Sequence, residues 1–200
     1  MRCHRHHTEN IRLYAMISVK LFECHMLPVP WRHVNSWNCH ACGLCCRGFS
    51  VVLNFAEWIK VVKNYGVGFT APGINKFYLK HKIDGSCAFL CDYHGKGICS
   101  LQHMKPLACK LWPFKILSRP KYGRARQAIY DYAGRNLFIY ADPSCPGLDW
   151  GNPTRSFLKT ALTEFIELAL GLREKQFDST SRMLYSPQFL KLNRQKLSRI

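Results

Sequence analysis

The feature that most constrains this chain is a run of four cysteines, Cys39-x-x-Cys42-x-x-Cys45-Cys46. Gaps of two residues let a tight turn direct neighbouring sulfurs at one metal, and soft thiolates suit zinc or iron–sulfur clusters rather than magnesium or calcium. A second, dispersed group comprises Cys87, Cys91, Cys99, Cys109 and Cys145. The sequence therefore predicts a fold organised around one or two cysteine-ligated metal sites.

The number and setting of the cysteines favour metal ligation over disulfide bonds. Eleven of the 200 residues are cysteine, and an odd number fits poorly with a complete disulfide framework. Charged residues such as Arg12, Lys20 and Glu23 interrupt the apolar stretch at 11–27, which makes it too broken for a signal peptide or a membrane span. We therefore expect a cytoplasmic protein with no membrane span, in which thiols stay reduced.

The spacing alone does not identify the metal. In the bacterial ferredoxin run the fourth cysteine comes after three further residues and precedes a proline, whereas here Cys46 follows Cys45 directly and precedes Arg47. The paired knuckles of a zinc ribbon are also absent. The side chains of adjacent cysteines tend to diverge, so Cys45 and Cys46 can serve different sites or a bridging position. We favour an iron–sulfur cluster, with Zn²⁺ as the alternative.

The cysteine pattern resembles that of the CxxCxxCC (YkgJ-like) cysteine cluster family, a zinc- or iron-chelating domain. The resemblance covers roughly residues 38–148 and is carried by Cys39-His-Ala-Cys42-Gly-Leu-Cys45-Cys46, Cys87-Ala-Phe-Leu, Gly97-Ile-Cys99-Ser-Leu…Lys105-Pro-Leu-Ala-Cys109-Lys-Leu-Trp-Pro-Phe and Cys145-Pro-Gly. It implies eight metal ligands, Cys39, Cys42, Cys45, Cys46, Cys87, Cys99, Cys109 and Cys145. Lys105 stands where family members commonly have arginine, and Cys91 is additional.

Other residues near the cysteines are weaker candidates for ligands. Cys91 is a spare thiol or a substitute ligand, and a histidine can replace a thiolate or hydrogen-bond to one. The histidines near the cysteines are His40, His94 and His103. Cys3 and Cys24 lie outside the family pattern, and we interpret them as bystanders.

The leading functional hypothesis is a cysteine-ligated metal protein, with a 4Fe–4S cluster favoured, in a redox or structural role. Its partner would then be a redox protein. An alternative is a component of a methyl-transfer or protein-modifying enzyme, because some family members resemble flagellin lysine methylases. Radical enzymes of the usual type have a run of three cysteines. The similar run here is Cys87-x-x-x-Cys91-x-x-His94, in which a histidine takes the place of the third cysteine. No glycine-rich cofactor loop or nucleophile elbow occurs, so no catalytic residue is predicted and the question of enzymatic activity stays open.

A third hypothesis is a zinc-binding module that contacts nucleic acid. The chain carries 29 Lys and Arg against 12 Asp and Glu, a formal net charge of +17, and such a surface can bind phosphates. The densest basic stretch contains Lys110, Lys115, Arg119, Lys121, Arg124 and Arg126. We prefer to interpret these residues as a solvated hairpin edge, where lysines discourage aggregation. Nucleic acid is therefore a partner that we do not favour.

For the fold class we expect α+β, a small irregular metal-stabilised domain with short helices, a β-hairpin and a C-terminal amphipathic helix. The predicted boundaries are an N-terminal extension at 1–34, the cysteine-rich metal-binding domain at 35–150, the amphipathic helix at 151–176 and a basic tail at 177–200.

Turn and capping signals predict the individual elements. A short strand at 49–53 precedes a helix that Asn54 and Glu57 cap as a capping box and that Gly66 ends. Residues 72–83 indicate a second helix, and 127–132 with 137–141 indicate a hairpin. The last predictions are a helix opened by Asn152-Pro153, whose apolar stripe runs from Phe157 to Leu170, and a short helix after Pro187.

Overall fold

The computed structural model describes residues 27–179, which form an α+β fold of short elements. The strands are β1 (Val29–Pro30), β2 (Val34–Trp37), β3 (Val52–Leu53), β4 (Thr70–Gly73), β5 (Lys76–Leu79), β6 (Leu90–Tyr93), β7 (Lys96–Cys99), β8 (Phe114–Leu117), β9 (Ile129–Tyr132), β10 (Arg135–Ala141) and β11 (Leu148–Trp150). The helices are α1 (Phe55–Tyr65), α2 (Leu107–Leu111), α3 (Ala125–Ala128), α4 (Arg155–Phe157) and α5 (Thr163–Ala169), with the π-helical turn Leu158–Leu162 between the last two. Within 27–179 no helix is long and apolar enough to cross a membrane.

The largest sheet is built around β10, which pairs antiparallel with β1, β8 and β9. The hairpin predicted at 127–141 is confirmed as β9 and β10. Its two-residue turn, Ala133-Gly134, has φ of 51° and 76°, the left-handed backbone that tight hairpin turns require. The first strand starts later than predicted, at Ile129, because the preceding residues form α3.

The capping box predicted at the start of α1 is confirmed. The Asn54 side chain accepts a hydrogen bond from the Glu57 N–H at 2.8 Å, and the Glu57 carboxylate accepts one from the Asn54 N–H at 2.9 Å. The helix ends before Gly66, as predicted. Only part of its apolar face lies in a hydrophobic core, because Val61 is buried while Phe55 is 64% exposed.

The prediction of a helix at 72–83 is wrong. This region forms most of a hairpin of β4 and β5, in which Gly73 pairs with Lys76 across a two-residue turn. The turn contains Asn75 at φ 57°, a backbone conformation that asparagine tolerates better than most residues. On its other edge β5 also pairs with β3. Pairing between strands that are distant in sequence therefore outweighs the local helical pattern.

The apolar stripe of the C-terminal helix is confirmed as a core element. The Thr154 hydroxyl caps the helix by accepting the Phe157 N–H at 3.2 Å. The buried residues of the stripe are Phe157, Ala161, Leu162, Phe165 and Ile166. The helix ends at Ala169, short of the predicted limit at 176.

The described fold begins before residue 35, where the extension was predicted to end. Trp31 and Val34 are buried, and β1 pairs with β10. Residues 27–34 are therefore part of the packed structure. The predicted helix after Pro187, and Cys3 and Cys24, lie outside the described residues.

The buried apolar residues form two hydrophobic cores. The first core contains Trp31, Val34, Trp37, Phe114, Leu137, Ile139, Ala141, Leu148, Phe157, Ala161, Leu162, Phe165 and Ile166. The second core contains Val51, Leu53, Val61, Leu79, Cys87, Phe89, Leu90, Cys99 and Leu101. The segment 39–46 runs from one core to the other, because Cys39 packs against the first and Cys46 against the second.

Candidate metal centre

Strand pairing brings together the segments that carry Cys39 and Cys145. Trp37 is paired with Leu148 in the β2–β11 ladder, and the Asn38 N–H donates to the Gly147 carbonyl at 2.9 Å. A side chain on Gly147 would collide with the Asn38 carbonyl oxygen, so the glycine lets the turn after Cys145 lie against the segment that leads into Cys39. Both cysteines pack against the first core.

Four other cysteines gather around the second core. The Cys87 N–H donates to the Cys46 carbonyl at 2.7 Å. Cys99 pairs with Leu90 in the β6–β7 hairpin, which immediately follows the loop that carries Cys87. Cys109 lies on α2 and packs against the same core. Cys46, Cys87, Cys99 and Cys109 thus come from four separate stretches of chain.

The remaining two predicted ligands lie in the loop that connects these groups. Ala41 and Gly43 have φ of 52° and 71°, and a 3₁₀ turn, Leu44–Cys46, follows them. Cys42 is exposed and Cys45 is half-buried. The sulfur atoms of Cys45 and Cys46 are 4.0 Å apart. The four-cysteine run therefore begins at the first core and ends at the second.

The other candidate ligands point elsewhere. Successive residues of a strand face opposite sides, and on β6 Leu90 is buried while Cys91 is exposed to solvent. His40, His94 and His103 are also exposed. The structure thus separates Cys91 from the buried face of the hairpin that bears Cys99.

The thiols of the described residues do not form a preassembled metal-binding site. Within residues 27–179, no three His, Cys, Asp or Glu side chains form a preassembled metal-binding group. All nine cysteines in that part of the chain are free. Binding a metal would therefore require the sulfurs to draw closer together.

The thiols nevertheless interact electrostatically in the same two groups. Burial raises the pKa of Cys145, and the thiolates of Cys39 and Cys42 raise it further. Burial likewise raises the pKa of Cys109, with added contributions from Cys99 and Cys87. The groups meet at Cys45, whose pKa is lowered to about 7, chiefly by a hydrogen bond with Cys46. The same hydrogen bond raises the pKa of Cys46.

One cation faces both groups. Burial raises the pKa values of Cys39 in the first group and of Cys99 and Cys109 in the second, and the Lys105 ammonium opposes part of each rise. Lys105 is half-buried and donates a hydrogen bond to the Gln176 side chain at 3.4 Å. A positive charge in this position partly compensates the negative charge that several thiolates carry around a metal.

The chemistry of the donor set fits a soft metal. All eight predicted ligands are thiols, and the β2–β11 ladder, the β6–β7 hairpin and α2 position the segments that carry most of them. Sulfur ligands of this kind select zinc or iron–sulfur clusters. The arrangement therefore suits thiolate ligation better than acid–base catalysis.

Two residues near the cysteines were not predicted from the sequence. Trp37 and His81 each have a buried side-chain nitrogen with no hydrogen-bond partner in the described part of the chain. His81 forms a bridge with Cys87, and the Trp37 indole nitrogen lies near Gly147. The contact of Trp37 joins segments that are distant in sequence, so no local pattern could have identified it.

No protein family, no curated protein and no solved structure matches this chain.

Proposed function

We propose that this chain is a cysteine-ligated metal protein with two adjoining four-thiolate sites, which hold iron–sulfur clusters in preference to zinc. Membership of the CxxCxxCC family is part of the proposal and rests on the cysteine pattern. The observation that carries the proposal is the division of six cysteines between the two cores, two at the first and four at the second. Cys42 and Cys45 lie in the loop that joins the two groups.

The first site would consist of Cys39, Cys42, Cys45 and Cys145. Cys39 and Cys145 pack on the first core, and the pKa of Cys145, which burial raises most, is raised further by the thiolates of Cys39 and Cys42. We assign Cys45 to this site as its fourth ligand, because the second site already has four cysteines. Four thiolates are the usual ligand number for a 4Fe–4S cluster or a structural zinc.

The second site would consist of Cys46, Cys87, Cys99 and Cys109. Two of these thiols are buried and two are half-buried, and all four belong to or pack against the second core. A metal bound here would lie away from bulk solvent. Iron–sulfur clusters would support electron transfer with a redox partner in the cytoplasm, whereas zinc would have a purely structural role because it has no redox chemistry.

The first test is to purify the chain anaerobically and to count iron, sulfide and zinc. We expect broad visible absorption and about four irons and four sulfides for each site. A colourless protein with zinc would replace the cluster by a structural ion. A folded wild-type chain that binds neither metal would refute the proposal.

Double substitutions test the assignment of the two adjacent cysteines. Two serine substitutions within one site remove the same metal, so Cys39→Ser with Cys45→Ser should retain one site. Cys39→Ser with Cys46→Ser should retain none, because it damages both sites. Cys91→Ser is the matched control and should retain full metal content, since Cys91 faces solvent. Equal losses in the two double variants would contradict the division of ligands.

A further inference from the structure

The indole N–H of Trp37 is buried without a bonded partner. Trp37 is 9% exposed, and its ring packs edge-on against Phe165 at a centroid distance of 5.0 Å. Its Nε1 has no hydrogen-bond partner in residues 27–179. Because buried polar groups are nearly always hydrogen-bonded, this donor needs an explanation.

The N–H lies beside the turn that carries Cys145. The Nε1 atom is 3.5 Å from the position that a Cβ on Gly147 would occupy, and Trp37 is paired with Leu148 in the ladder. Burial raises the pKa of Cys145, whereas the backbone at Gly147 and the Trp37 indole, both near its sulfur, offset part of that rise by favouring the thiolate. The indole is therefore placed to act on the Cys145 sulfur.

The state of the sulfur explains why the N–H has no partner. A neutral thiol is a weak acceptor, whereas hydrogen bonds to a charged acceptor are shorter and stronger. The N–H would thus complete its hydrogen bond only when Cys145 is a metal-bound thiolate. Groups that hydrogen-bond to metal ligands orient them and adjust their donor strength.

We propose that Trp37 is a positioning residue, which donates its indole N–H to the Cys145 sulfur when the first site holds a metal. This inference rests on the proposed function. In this role Trp37 would fix the direction of the Cys145 side chain and reduce the electron donation of its sulfur to the metal.

Trp31 provides a matched control within the same core. It is 8% exposed, and its Nε1–H donates to the Ile129 carbonyl at 3.2 Å. Phenylalanine at either position keeps an aromatic ring in the core and removes the indole N–H together with one of the two fused rings, so the loss of packing is common to both variants. The two substitutions therefore differ in which acceptor loses its donor, a carbonyl oxygen or a sulfur.

The experiment uses Co²⁺ as a spectroscopic probe in the metal-free full-length chain. The first-site signal is the part of the thiolate-to-cobalt absorption that Cys39→Ser removes. With Trp37→Phe we expect first-site affinity, measured by chelator competition, to fall about 10–100-fold, because the loss of the orientation of Cys145 outweighs the stronger donation of its sulfur. The absorption should also move to lower energy, because a sulfur without the hydrogen bond donates more strongly. Trp31→Phe should change neither quantity.

The outcomes separate this inference from the proposed function. If Trp37→Phe behaves like Trp31→Phe, or lowers the affinity without moving the absorption, Trp37 acts through packing alone and the inference is overturned. A wild-type chain that binds no Co²⁺ through Cys39 overturns the first site of the proposed function together with the inference.

Discussion

Gly97 packs directly against Gly43, so closely that a methyl group on Gly97 would lie 2.7 Å from the Gly43 Cα and 2.9 Å from its nitrogen. The Gly97 N–H also donates to the Ala41 carbonyl at 2.6 Å. This contact holds the loop between Cys42 and Cys45 against the strand that ends at Cys99. The two glycines therefore determine how near the two groups of cysteines can lie.

Replacing Gly97 by alanine should separate the cysteine loop from β7. We expect the Gly97→Ala variant to lose about 1–3 kcal/mol of stability, the usual cost of overpacking, and to bind less metal. Thermal unfolding and metal counting would measure both effects. Gly68→Ala is the control, because nothing lies within 4 Å of the Cβ position at Gly68. Normal metal content in a stable Gly97→Ala protein would contradict the importance of the contact.

Glu57 links α1 to the helix that bears Cys109. One carboxylate oxygen completes the capping box of α1, and the other accepts the N–H of Leu107, the first residue of α2, at 2.7 Å. Glu57→Ala should lower stability by about 0.5–2 kcal/mol, the cost of losing a cap. It should also weaken metal binding at the second site, because α2 loses an anchor.

Chelator competition and chemical denaturation of the Glu57 variants would check this prediction. Asn64→Ala is the control, since the Asn64 side chain bonds only within α1 in the described fold, to the Lys60 carbonyl at 2.8 Å. Glu57→Gln keeps an acceptor oxygen and should recover part of the loss. If Asn64→Ala weakens metal binding as much as Glu57→Ala, the link to α2 is not the cause.

The metal-free protein should lose stability in alkaline solution. Burial raises the pKa of Cys87 and of Cys99, so the folded state keeps protons that the unfolded state releases above about pH 8.5. The stability that these neutral thiols contribute is present below that pH and is lost above it, by up to about 1.4 kcal/mol per pH unit for each thiol. Cys45, with its pKa lowered to about 7, opposes this slope near about pH 8.5, where the unfolded thiol still binds protons, and adds little at higher pH because it is then ionised in both states.

Denaturant unfolding of the metal-free chain between about pH 8 and pH 10 would measure the slope. Cys87→Ala should flatten it, whereas Cys91→Ser should not, because Cys91 is exposed. Metal-loaded protein should show a weaker dependence, since its thiols are already deprotonated. A metal-free chain whose stability does not change over this range would contradict the prediction.

Local signals predicted the elements that local contacts stabilise. The capping box of Asn54 and Glu57 and the Ala133-Gly134 turn lie within a few residues of the bonds they make. The hairpin at 70–79 was missed because Ile74-Asn75 is not a strong turn signal and because β3, far back in the chain, completes the sheet. Elements stabilised by contacts between residues close in sequence could therefore be predicted, whereas elements stabilised by contacts between distant residues could not.

The candidate site shows the same division. The sequence pattern selected eight cysteines, and the structure puts Cys91, the additional one, on the exposed side of its hairpin. The division of six of the eight between two cores could not be predicted, because it depends on the pairing of β2 with β11 and on the hydrogen bond from Cys87 to Cys46. Both contacts join segments that are distant in sequence.

The peptide bond between Cys45 and Cys46 gives the two proposed sites a shared backbone. A metal bound by Cys45 would fix the backbone of Cys46 before the second site is filled, and the reverse also holds. The entropy lost on ordering this loop is then paid once for both metals. We therefore expect loading to be cooperative, so that molecules with one metal are scarce at intermediate metal supply.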